Sequence, residues 1–175
     1  MTIKYNNVFI EDAYTICGNY ENDGPLSKYF DKKYEKDLYF GEKSWEQAEV
    51  HLLKEANTNI LKKNKLKEED IDLLISGDLQ NQIAASNYMA REFNIPFLGI
   101  FEACSTSGEG LAIGSTYIEG GFAKRILVST SSHNMAAEKQ FRNPTEYGTP
   151  KPKTATFTST GGVSILPVSY THLTL

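Results

Sequence analysis

Apolar and polar positions recur along this chain with two periods, and each change of period marks an element. Residues 44–64, "SWEQAEVHLLKEANTNILKKN", place Trp45, Ala48, Leu52, Leu53, Ala56 and Ile60 at helical spacing. That spacing predicts an amphipathic helix with one buried stripe. Ser44 followed by Gln47 is a capping-box pattern at its start. His51 lies beside the stripe and reads as an ordinary helix residue. Shorter apolar runs predict strands within 6–18, 67–78, 95–103 and 123–133. Residues 81–94 and 105–119 predict two further helices, the second closed by Gly120 and Gly121. Residues 154–168 read as two β runs around Gly161 and Gly162.

Two segments break the pattern. Residues 19–44 are polar and turn-rich, with Tyr29, Phe30, Tyr34, Tyr39 and Phe40 as candidate anchors. Residues 134–153 form a long polar stretch with a short helix at its start. Within it, Pro144 and Gly148 suit a turn, and Arg142 can pair with Glu138, Glu146 or a carboxylate ligand. Strands and helices alternate from Ser44 to Ser129. This predicts an α/β fold, with a mainly parallel mixed sheet and helices on both faces. Ligand sites in such sheets gather at the carboxyl ends of strands. Asp78, Cys104 and His133 stand at those ends.

Composition narrows the function classes. A single domain of 175 residues, 40% hydrophobic and 23% charged, is ordinary for a globular chain. The net charge of -4, with "KKNKLK" followed at once by "EEDID", excludes a nucleic-acid footprint. Cys17 and Cys104 lie far apart and suit a reduced, intracellular chain without disulfides. No Cys/His cluster has zinc spacing, so no metal site is expected. The first residues lack the form of a signal peptide, and no apolar run is long enough to span a membrane.

The stretch "FEACSTSGEGLAIGSTYIEGG", residues 101–121, holds the candidate chemistry. A helix beginning at Ser105 puts Cys104 at its N-terminus, where unpaired N–H groups and the helix dipole favour negative charge. The same groups suit a carboxylate ligand. Ser105, Thr106, Gly108 and Gly110 leave room for close approach. The glycine spacing is not a dinucleotide fingerprint, because Ile113 occupies the third glycine position. On spacing alone, Cys104 is either a reactive thiol or a packed one.

"ACSTS", preceded by a strand and followed by a small-residue helix, resembles the nucleophile turn of the thiolase and ketoacyl-synthase superfamily. The longer phrases "DGPLSKYFDKKY", "SGDLQNQ", "GGFAKRILVSTSSHN", "AEKQFRNPTEYG" and "KPKTATFTSTG" resemble the stage V sporulation protein AD family of endospore formers, over about Asn6 to Leu166. Glu102 departs from the superfamily pattern, which has a glycine there. Its carboxylate opposes a second negative charge nearby.

The resemblance implies a thiolase-like fold of two similar βαβαβ halves, of which residues 1–167 supply the first. Gly110, Ala112 and Gly114 would then suit close packing of helix 105–119 against the second half. Residues 168–175, "VSYTHLTL", read like a translated sequencing adapter and are expected to be a non-native tail; His172 is given no role. The implied function is binding of dipicolinic acid (pyridine-2,6-dicarboxylate) for uptake of its calcium salt into the developing spore. It needs no further cofactor. The implied ligand-binding residues are Cys104, Ser105, Asp78, Asn81, His133 and Asn134, with Gln82 beside them. The implied partners are other stage V A sporulation proteins at the spore inner membrane, and a second copy in a homodimer. The alternative is an acyltransferase that uses Cys104 as nucleophile on acyl-CoA or acyl carrier protein, completed by residues outside this chain.

Overall fold

Ser44 starts the long helix as its sequence suggests. Its hydroxyl oxygen accepts the Gln47 N–H at 3.2 Å, while the Gln47 side chain reaches back to the Lys43 N–H at 3.3 Å. The structure, a computed structural model, describes residues 2–141, 154, 156 and 158–169. The expectations for Arg142, Glu146, the turn at 143–148 and residues 170–175 lie outside them.

In chain order the elements are β1 (Val8–Cys17), α1 (Asn19–Asn22), β2 (Lys32–Lys33), α2 (Trp45–Lys63), β3 (Leu73–Gly77), α3 (Ala84–Ala90), β4 (Phe97–Gly99), α4 (Thr106–Glu119), β5 (Ile126–Ser132), α5 (Asn134–Phe141) and β6 (Gly161–Ser169). They form one mixed sheet in the order β2-β1-β6-β5-β3-β4. β3 pairs in parallel with β4 and β5, and β1 with β2; β6 runs antiparallel between β1 and β5.

The period-two alternation of buried strands sends side chains to two helical layers. Leu74, Leu127, Leu166 and Val168 pack with Leu53 and Ile60 of α2 and Met89 of α3. Ile75, Ile126 and Val128 point the other way and pack with Ile118 of α4. Of the aromatic anchors, Phe40 is buried and stacks obliquely on Tyr34 at 4.4 Å, whereas Tyr29 is exposed.

Several elements differ from their sequence signals. α3 is a single left-handed step followed by seven residues, because Gln82 and Ile83 both have positive φ. β4 spans only three residues. Among the described residues of 154–168 one strand forms: it begins at Gly161, and residues 158–160 have no strand pairing. Its register continues through Val168 and Ser169, opposite Phe9 and Val8. Gly110 and Gly114 do not face outward. A Cβ on Gly110 would lie 2.7 Å from the Val128 side chain, so these glycines draw α4 onto its own sheet. Ala112 is the exposed one.

The corner between β4 and α4 depends on β3. A Cβ on Gly77 would sit 2.2 Å from the Ile100 carbonyl oxygen and 2.6 Å from the Thr106 methyl. Backbone cannot swing aside as a flexible side chain can, so only glycine fits there. Gly77→Ala is therefore expected to lower stability by at least about 2 kcal/mol in urea denaturation. A loss under about 0.5 kcal/mol would contradict this account of the corner.

Candidate functional site

The turn after β4 is held by its own side chains. Residues Ala103–Ser105 make one 3-10 turn, and Ala103 takes a φ of 47°. A non-glycine residue in that region is uncommon and costs energy. Thr106 stabilises it twice: its hydroxyl donates to the Ala103 carbonyl at 2.8 Å and accepts the Glu102 N–H at 3.2 Å. Ser105 faces solvent and donates to the Glu102 carbonyl at 2.9 Å. Cys104 is exposed in the middle of this turn, with Ser105 between it and α4.

A cavity of about 400 Å³ opens beside Cys104, at the carboxyl ends of β3 and β5 and the amino end of β6. Its walls come from Phe30, Leu79, Thr130, Thr158, Ser159 and Gly162, among others. Among the described residues that line it, none is Lys, Arg, Asp or Glu. Most of the lining hydroxyl protons are already committed. Thr130 donates to the Gly77 carbonyl at 2.8 Å, Ser131 to Glu49 at 3.1 Å, Ser132 to the Ser159 carbonyl, and Thr158 to Glu138 at 3.1 Å. A larger groove of about 870 Å³ runs between α2 and α3, away from Cys104.

The other residues expected at the site are placed behind it rather than in it. Asp78 is buried, and its two oxygens accept the Gln80 N–H at 2.8 Å and the Ser86 N–H at 2.7 Å, which ties down the start of α3. His133 is fully buried. Its Nε2–H donates to the Leu38 carbonyl at 2.8 Å, and its Nδ1 accepts the Ala136 N–H at 3.4 Å. Burial holds its pKa below the usual histidine value, against the pull of the Leu38 carbonyl. Asn134 is buried; its Nδ2 donates to the Thr158 carbonyl at 2.7 Å and its N–H to the Thr160 hydroxyl at 2.8 Å. Asn81 is exposed, and its N–H donates to the Gln140 side chain at 3.0 Å. Gln82 serves the left-handed step. Only Cys104 of the six lines the cavity. Asp78, His133 and Asn134 are buried, and the hydrogen bonds given above tie them to protein groups around the cavity. Phe30, Thr158 and Ser159, which the sequence did not single out as ligand residues, line the cavity. The hydroxyl run "TSTGG" before β6 was the available signal for two of these.

Glu49 is the residue the periodic reading hides. It sits on the buried stripe of α2 and is fully buried. Gln80 donates to it at 2.9 Å, Ser131 at 3.1 Å, and the His133 N–H as well. Burial, reinforced by the nearby Asp78 carboxylate, pushes its pKa up to about 7 despite those donors.

The family model described as stage V sporulation protein AD matches residues 1–172. The chain belongs to the stage V sporulation protein AD family. It is 52% identical over 159 residues to the curated stage V sporulation protein AD of Bacillus subtilis (strain 168), covering 91% of this chain and 47% of that protein. The chain thus spans about half the length of that relative. Among solved structures it is similar to 3-oxoacyl-[acyl-carrier-protein] synthase III from Aquifex aeolicus VF5, with a TM-score of 0.60 and 16% identity over 92% of this chain and 53% of that one. It is also similar to a variant of Xanthomonas campestris OleA with cerulenin, with a TM-score of 0.63 and 12% identity over 94% of this chain and 58% of that one. These neighbours establish the thiolase-like fold, of which this chain forms a half. No helix among the described residues is long and apolar enough to cross a membrane.

Glu49 gives a pH signature. Its folded-state pKa lies above the unfolded carboxyl value, so folding favours the protonated form. Its contribution is fully present below about pH 4.5 and lost as pH rises to about 7. His133, shifted the other way, opposes this within part of the same window. The difference between Glu49→Gln and the unsubstituted chain isolates Glu49. The substituted chain is expected to gain relative stability, on the order of 3 kcal/mol, between pH 4.5 and 8. Urea midpoints that differ by the same amount at every pH would show that Glu49 does not titrate in this window.

Proposed function

We propose that this chain carries a binding site for dipicolinate, taken as its calcium salt during spore formation. The observation that supports it most is the cavity beside Cys104 at the carboxyl ends of β3 and β5, whose described lining residues carry no charge. Its volume, about 400 Å³, suits a small molecule. Phe30 offers a ring on which a flat pyridine can stack.

The charge of the ligand needs separate treatment. A free dianion entering a cavity whose described lining is uncharged loses hydration without gaining a cation from those residues. The calcium chelate brings its own counter-charge, and calcium prefers oxygen ligands of this kind. No described group of His, Cys, Asp and Glu forms a metal site. Calcium in this reading is part of the cargo. The full protein acts beside other stage V A sporulation proteins, peripheral to the spore inner membrane, and as a homodimer.

A second reading has its own observation. Cys104 stands exposed on a strand-to-helix corner whose preceding residue has positive φ, as a nucleophile presented to a cavity would. In that reading the Cys104 sulfur attacks the thioester carbonyl of acyl-CoA or an acyl carrier protein, the donor C–S bond breaks and the donor leaves as its thiol, with residues beyond this chain as the base that takes the Cys104 proton and returns one to the leaving sulfur.

Calorimetry with dipicolinate, with and without calcium, separates the two. The unsubstituted chain and Cys104→Ala are expected to bind within about threefold of each other, more tightly with calcium, and intact-mass analysis is expected to show no thioester after acyl-CoA. Lost binding in Cys104→Ala together with an acyl adduct on the unsubstituted chain would establish the enzyme. Absence of dipicolinate binding under all conditions would remove the first reading.

A further inference from the structure

Residues 158–160 have no strand partner, yet the groups that fix them are unusually complete. The Thr158 N–H and hydroxyl both donate to Glu138 Oε1, at 3.2 and 3.1 Å. The Thr158 carbonyl accepts from Asn134 Nδ2 at 2.7 Å. The Ser159 carbonyl accepts from the Ser132 hydroxyl. The Thr160 N–H donates to Glu21 Oε1 at 3.0 Å, and its carbonyl accepts the Gly18 N–H at 2.9 Å. The Thr160 hydroxyl accepts the Asn134 N–H at 2.8 Å. An irregular segment normally leaves such groups to water. Here side chains and backbone of α1, β5 and α5 replace it, and Thr158 and Ser159 form one wall of the Cys104 cavity.

Glu138 is the unusual member. It is fully buried on α5, where a carboxylate is costly unless its hydrogen bonds are satisfied. It is not among the residues lining the cavity, so it holds the wall from behind. Two donors from one residue, both on one carboxylate oxygen, make a two-point clamp. Asn134 completes it one helical turn earlier, at the start of the same helix.

We infer that Glu138, with Asn134, is a positioning residue that clamps residues 158–160 as a fixed wall of the Cys104 cavity and so sets which ligand fits there. The ligand part of this inference rests on the dipicolinate reading; the clamp does not. The cavity is then shaped before the ligand arrives, and α5 acts as its brace.

Hydrogen–deuterium exchange of peptides covering 158–163, beside dipicolinate titration with calcium, tests both parts. Glu138→Ala is expected to exchange at least about tenfold faster there and to bind at least about tenfold more weakly. Glu138→Gln keeps an acceptor oxygen, and is expected to restore both to within about threefold. Should Glu138→Ala fail to fold, Thr158→Val removes one bond of the clamp from the other side; a roughly threefold rise in exchange and a matching loss of affinity are expected. Unchanged exchange in Glu138→Ala, or in Thr158→Val where it alone folds, would overturn the clamp. Faster exchange with unaltered affinity would overturn its role in ligand choice. If the unsubstituted chain binds no dipicolinate, the functional reading fails, while exchange still decides the clamp.

Discussion

Everything at the candidate site depends on one missing side chain. Gly77 ends β3 where the Ile100 carbonyl and the Thr106 methyl crowd in, closer than any Cβ allows. That approach lets β4 stop after three residues and turn sharply into α4. The turn is tight enough to force Ala103 into positive φ, and Thr106 offsets the strain with two hydrogen bonds. Cys104 is exposed for that reason: the chain has no room to bury it between a closed corner and a sheet already filled by Ile75 and Val128.

Around the corner lies a layer of buried polar groups that shape the cavity and stay out of it. Asp78 starts α3, His133 joins β5 to the loop at Leu38, Asn134 and Glu138 hold residues 158–160, and Glu49 gathers Gln80 and Ser131. Each satisfied partner rigidifies its neighbour, since an unpaired polar atom at this depth costs more than the bond returns. The cavity that results carries no charged lining among the described residues. Such a surface suits a ligand that arrives with its charge already matched.

Sequence periodicity was enough for the layers. The stripe of α2, the runs of β3 and β5, and the small-residue helix after Cys104 follow directly from spacing, because core burial imposes those periods. It failed where tertiary contact decides. Gly110 and Gly114 suit close packing against a second half on sequence, yet they face Val128 and Ile126 of this chain's own sheet, and composition alone does not give a helix's rotation. Asp78, His133 and Asn134 stand at the predicted strand ends, but position does not reveal whether a polar atom is free. Glu49 and Glu138 resemble solvated helix residues in a string of letters; only the fold shows them buried. Phe30 emerged as cavity lining from a segment that carried no period at all.

The central claim is that the space beside the Cys104 sulfur is a reversible dicarboxylate site. Alkylation of Cys104 by iodoacetamide, followed by mass spectrometry while dipicolinate and calcium are titrated, tests it most directly, since Cys17 is buried and adds little background. The account predicts a saturable fall in the alkylation rate, reversed by dilution and absent with the 3,5-dicarboxylate isomer. A rate unchanged at millimolar dipicolinate, or slowed equally by both isomers, would contradict it.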